Sequence, residues 1–155
     1  MVIDPMARRS LEISRTLRDN RREGSLLDAI DLTRTAAGSR TLASWLHQPL
    51  LNVEAIRRRQ SAIQEWKEDA YARRELRETL AQTYDIERLA ARISTGRTNP
   101  RDLASLRETL RQLPPIKARL TARTASLIAD LEASIDLMPD IRVDLEKIIV
   151  DEPPF

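Results

Sequence analysis

The sequence has no cysteine, which excludes disulfides and thiolate chemistry. Its one histidine, His47, cannot assemble a metal cluster alone. The three glycines, Gly24, Gly38 and Gly96, are too few for a turn-rich all-β fold. They are also too far apart for a phosphate loop or a dinucleotide-binding fingerprint. Aromatic residues make up 3% of the chain, so no platform for base stacking is legible, and the core has to be built from Leu, Ile and Ala. No apolar run approaches the roughly 20 residues of a membrane span. Residues 1–10 lack the apolar centre of a secretory signal. The expectation is a cytoplasmic protein without a membrane partner.

What remains is a chain of 155 residues, 41% hydrophobic and 32% charged, long enough for one domain with a real core. Its net charge of +2 is unevenly spread. Between residues 8 and 22, Arg8, Arg9, Arg15, Arg18, Arg21 and Arg22 face two acids, whereas residues 130–155 carry eight acids and two bases. The six arginines are candidate contacts for a DNA backbone or a partner surface, with a solvated arm as the bland alternative.

The stretch around which the chain is organised runs from Asp85 to Leu103. Asp85 can cap a helix whose stripe is Ile86, Leu89, Ala90 and Ile93. Gly96 falls where a left-handed residue ends a helix without a Cβ penalty. Asn99 offers a capping oxygen, Pro100 suits the first helical position, and Asp102 lies in the first turn, where the helix dipole favours a negative charge. Leu103, Leu106, Leu110 and Leu113 continue as the next stripe. Gly96, Asn99, Pro100 and Asp102 thus predict a structural corner between two helices, with no chemistry of its own.

Elsewhere the pattern is also helical. Val2-Ile3 and Leu11-Glu12-Ile13 are expected as a small ribbon if both are strands, and Asp19 to Gly24 as an exposed loop. Ser25 to Asp28 resembles a capping box that buries Leu26, Leu27 and Ile30. A helix starting at Thr33 or Thr35 runs to about His47, with Ala37, Leu42, Trp45 and Leu46 inward. Gly38 inside it implies close approach of a neighbouring backbone. Asn52 caps the next helix, with Val53, Ile56, Ile63 and Trp66 on one face. Arg57, Arg58 and Arg59 are splayed about 100° apart and read as solvated. A further helix covers residues 70–80. Pro114-Pro115 predicts the end of the leucine stripe and the start of a long helix through Ile116, Leu120, Leu127, Leu131 and Ile135. Met138-Pro139 breaks that helix, and Asp140 caps a last one with Ile141, Leu145, Ile148 and Ile149. The fold class is all-α, a bundle-like module of about seven to eight helices, with the N-terminal β-ribbon left open. Glu65 and Asp69, four residues apart, read as a surface pair rather than an acid/base dyad. Trp45 and Trp66 read as core anchors of one shared cluster. No catalytic, cofactor-binding or metal-binding residue emerges.

Three phrases in order resemble the MutS family of DNA mismatch-repair ATPases. They are Arg8-Arg9-Ser10-Leu11-Glu12-Ile13 with Ser25-Leu26-Leu27; Asp31 to Arg40 leading into Trp45-Leu46 and Gln48-Pro49-Leu50; and the corner from Asp85 to Leu103. The resemblance covers nearly the whole chain. It implies that residues 1–155 are the first part of a core (lever) domain, truncated before the lever helix, clamp and ATPase domains. It further implies a non-enzymatic connector within a homodimeric, bacterial, nucleoid-associated parent that binds mismatched double-stranded DNA and holds ATP and Mg in other domains. Two departures stand out. The family often carries glycines where this chain has Asp19 to Glu23, and neither its Phe-x-Glu element nor its P-loop is present here. The alternative from a different class is a stand-alone basic helical DNA-binding or protein-adaptor domain.

Overall fold

The computed structural model describes residues 3–150. Among them are nine helices and no strand: α1 (Pro5–Ser10), α2 (Leu26–Ile30), α3 (Ala36–His47), α4 (Val53–Glu68), α5 (Ala70–Leu80), α6 (Ile86–Ser94), α7 (Pro100–Leu120), α8 (Ser126–Ser134) and α9 (Pro139–Ile148). The chain divides into two compact units, Met1–Arg57 and Arg58–Phe155. Among the described residues no helix is long and apolar enough to cross a membrane.

In the first unit the expected ribbon is absent. Asp4-Pro5 starts α1 instead of making a turn: the Asp4 carboxylate accepts from the Ala7 N–H at 3.0 Å, and Pro5 takes the first helical position. Leu11 to Ile13 is a turn, with Glu12 in the left-handed region at φ 46°. Val2 lies outside the described residues. The Ser25 hydroxyl caps α2 by accepting from the Asp28 N–H, but Asp28 returns the bond to the N–H of Gly24, one residue earlier than a capping box requires. A helix of little more than one turn points one side chain inward, so Leu27 is buried while Leu26 and Ile30 are exposed.

Thr35 caps α3 through the Gly38 N–H at 2.9 Å. A Cβ on Gly38 would lie 2.9 Å from that same hydroxyl oxygen, so the capping side chain, not a neighbouring backbone, explains this glycine. No α3 residue is fully buried; Ala37 and Trp45 are exposed, and Leu42 and Leu46 are half-buried.

In the second unit α7 is the spine, packed against α5, α6, α8 and α9. Ala62, Ile116, Leu120, Ala125 and Ile128 form a buried cluster covered by Trp66, Leu76, Leu80, Leu127 and Ile135. Trp45 is exposed and is not among the residues of that cluster. The inward face of α4 is Ala62 and Trp66, whereas Ile63 is 63% exposed and Val53 is also exposed.

Pro114 and Pro115 lie inside α7 and do not end it. Buried side chains on both sides of the pair, Leu110 before and Ile116 and Leu120 after, hold the helix to its neighbours through two missing ladder bonds. The real break falls at residues 121–125, where Ala122 is left-handed at φ 64°. The next helix therefore turns Ile128 inward and leaves Leu131 exposed. Met138, also left-handed, precedes α9, and Asp140 sits in the first turn rather than at the cap. Of the expected α9 stripe, Leu145 and Ile149 are half-buried, and Ile141 and Ile148 are exposed.

Candidate functional site

The corner between α6 and α7 is closed by backbone and side-chain hydrogen bonds. The Gly96 N–H donates to the Ile93 carbonyl at 3.0 Å, and the Arg97 N–H reaches back to the Arg92 carbonyl at 2.9 Å. With Gly96 at φ +66°, this is a Schellman ending. A Cβ at Gly96 would meet nothing within 4 Å, so the backbone conformation alone calls for glycine. Asn99 and Asp102 form a reciprocal capping box: the Asn99 side chain accepts from the Asp102 N–H at 2.8 Å, and the Asp102 carboxylate accepts from the Asn99 N–H at 3.0 Å. Pro100 is at the start of α7.

Two further residues, not singled out from sequence, close the corner. The Arg92 guanidinium on α6 pairs with Asp102 on α7 at 2.9 Å. The fully buried Thr109 hydroxyl accepts from the Tyr84 N–H at 3.0 Å and donates to the Ser105 carbonyl at 2.8 Å, tying the approach to α6 onto α7. A Thr on a charged helix gives no sequence signal of such a bond. Of the predicted α6 stripe only Leu89 is buried, and Ile86, Ala90 and Ile93 are exposed.

The remaining polar groups of this unit also act structurally. Glu65 accepts from the N–H groups of Thr124 at 2.9 Å and Ala125 at 2.7 Å, and these bonds hold its carboxyl below the usual range. Asp69 caps α5 through the Ala72 N–H and takes the Arg123 guanidinium, which likewise lowers its pKa. Arg123 also stacks over Trp66 at 4.5 Å from the ring centre. Asp69 is therefore a helix cap and Glu65 a tie from α4 to the turn before α8, rather than a solvated pair. Arg58 pairs with Asp130 on α8 and its side chain remains partly exposed. Arg107, 3% exposed, donates to the Ile149 carbonyl at 2.7 Å and pairs with Glu108, fastening α7 to the end of α9. Among the described residues no group of three or more His, Asp or Glu could hold a metal ion.

In the first unit the six arginines separate. Arg8, Arg9 and Arg15 line one open concavity of about 700 Å³, together with His47, the last residue of α3. Arg22 instead joins Asp31, whose carboxylate also accepts from Ser39 Oγ at 2.6 Å and from Thr33 Oγ1 and N–H at 2.6 and 3.0 Å. Those bonds, Ser39 first, hold Asp31 far below the ordinary carboxylate range. Arg18 and Arg21 are exposed and lie outside the concavity.

The family profile described as MutS domain III matches residues 6–155. The chain is 46% identical over 153 residues to the DNA mismatch repair protein MutS of Rhodopirellula baltica, covering 99% of this chain and 17% of that protein. It is 42% identical over 154 residues to MutS of Symbiobacterium thermophilum (99% and 18% covered), and 43% identical over 155 residues to MutS of Synechococcus elongatus (100% and 18%). The chain thus spans less than a fifth of the length of these relatives, 17–18%. With its helical corner intact and the match running over nearly every residue, the chain belongs to the MutS domain III family.

Proposed function

We propose that this module is the helical connector of a DNA mismatch-repair ATPase, coupling a DNA-binding part and clamp of the same protein to its ATPase part. The α6–α7 corner carries this reading. A connector must hold its angle while a coupling free energy of about 1–3 kcal/mol acts across it. A single helix cap contributes about 1 kcal/mol. Here a capping box, a Schellman ending, the Arg92–Asp102 pair and the Thr109–Tyr84 bond act on one bend. The 21 residues of α7 extend that bend into an arm roughly 30 Å long. In this reading the segment supplies no catalytic group. The parent protein holds ATP and Mg in other domains, works as a homodimer on mismatched double-stranded DNA and resides in the bacterial cytoplasm at the nucleoid.

The test uses the longer protein that contains this segment. Replacing Asp102 with Ala removes the box and the ion pair together. Mismatch-stimulated ATP turnover is expected to fall several-fold, with basal turnover and DNA affinity retained. Unchanged stimulation in a variant whose melting temperature has dropped sinks the connector reading.

The second reading, a stand-alone basic DNA-binding or adaptor domain, draws on the concavity lined by Arg8, Arg9 and Arg15. It requires the 155-residue chain alone to bind its partner as tightly as any longer protein does.

A further inference from the structure

We propose that the concavity lined by Arg8, Arg9, Arg15 and His47 is a phosphate site whose occupant is the phosphodiester backbone of duplex DNA. This goes beyond the connector reading, since a connector needs no DNA contact of its own. Arg8 and Arg9 sit in the last turn of α1, and Arg15 follows after the left-handed turn at Glu12. That turn brings both segments to one hollow. Ser14 and Thr16 also line it, and among the described residues no Asp or Glu does. Glu12, the nearest acid in sequence to these arginines, is turned to the Leu17 N–H.

One detail makes this more than a basic surface. The Arg15 guanidinium is already anchored, with Nη1 donating to the Asn20 carbonyl at 2.8 Å, so less freedom is lost when its other donors engage. Guanidinium forks match phosphate oxygens in pairs. Among the described residues no Tyr or Trp lines the hollow, so it offers backbone contact and not the stacking that would hold a base or nucleotide.

The experiment titrates a short fluorescent duplex, matched or mismatched, with the 155-residue chain over a salt series. Arg9→Gln and Arg15→Lys are each expected to weaken binding about three- to ten-fold, and Arg9→Gln to lower the salt slope by about one. Arg9 is exposed, so its variant keeps the native helical circular dichroism. Arg18→Gln and Arg21→Gln should stay within about two-fold of the parent, and matched and mismatched duplexes should bind alike. Equal losses at Arg18 or Arg21 would reveal a diffuse field and overturn the site. So would absence of binding at low salt, or selection of the mismatched duplex. Inorganic phosphate and ATP serve as competitors at constant ionic strength; displacement of the duplex by ATP would mark a free-phosphate site and overturn the backbone assignment. None of these outcomes touches mismatch-stimulated ATP turnover, so the two proposals fail separately.

Discussion

The two units of the chain are stabilised in opposite ways. The first unit fully buries Ile13, Leu27 and Ser25 and is otherwise joined by caps and polar ties, above all the cluster of Asp31 with Arg22, Thr33 and Ser39. The second unit stacks helices around Leu110, Ile116, Leu120 and Ile128, and the buried Thr109 and Arg107 hydrogen-bond to neighbouring segments. A segment of under about 60 residues cannot bury enough apolar surface to be robust, so hydrogen bonds count individually there. Where a core exists, cavities count instead.

The sharpest break in that comparison comes from Leu110→Ala. Leu110 is 2% exposed at the centre of the spine, so the expected loss is about 2–5 kcal/mol in denaturant unfolding followed through Trp66. Leu26→Ala in the first unit, followed through Trp45, should cost less than about 1 kcal/mol, because Leu26 already faces water. Similar losses at the two sites would dissolve the distinction. Next in size is Gly96→Val. It forces a β-branched residue into the left-handed region without any clash, at about 1–2 kcal/mol. An unchanged melting temperature would count against the corner.

Ser25→Ala and Asn99→Ala remove the same kind of cap, one from each unit, at about 1 kcal/mol each. The comparison predicts that only the Ser25 change speeds amide exchange throughout its unit. The gentlest test is acid. The folded-state pKa of Asp31 is depressed, so its contribution is complete above the ordinary aspartate value of 3.8 and is lost progressively as pH falls below it. Trp45 fluorescence should report that loss, and Asp31→Asn should flatten it.

Local signals were legible in the sequence. The caps at Thr35, Asn52, Asp85 and Asn99 and the glycine at the corner depend on a few adjacent residues. Which face of a helix turns inward was not. Ile63 and Ile148 are exposed while Arg107 and Thr109 are buried, because the neighbouring helices decide the face. The proline pair misled for the same reason: packing on both sides of Pro114-Pro115 overrode a local break signal. At Ala122 the chain breaks with neither glycine nor proline to announce it. The basic run was visible, but its division into Arg8, Arg9 and Arg15 on one side and Arg22 on the other required Asp31 to be in place.

The corner also implies an order of events in time. The Tyr84–Thr109 tie spans 25 residues, but the capping bonds of the corner join residues at most five apart and Arg92 meets Asp102 across ten. Loops of that size close in about 10–100 ns. The Arg119–Glu75 and Arg107–Ile149 ties span 44 and 42 residues and must wait for longer searches. The bend between α6 and α7 is therefore set early, while the helices it will orient are still finding their partners. Folding rates of Asp102 variants, expected to fall in step with stability, would record that sequence.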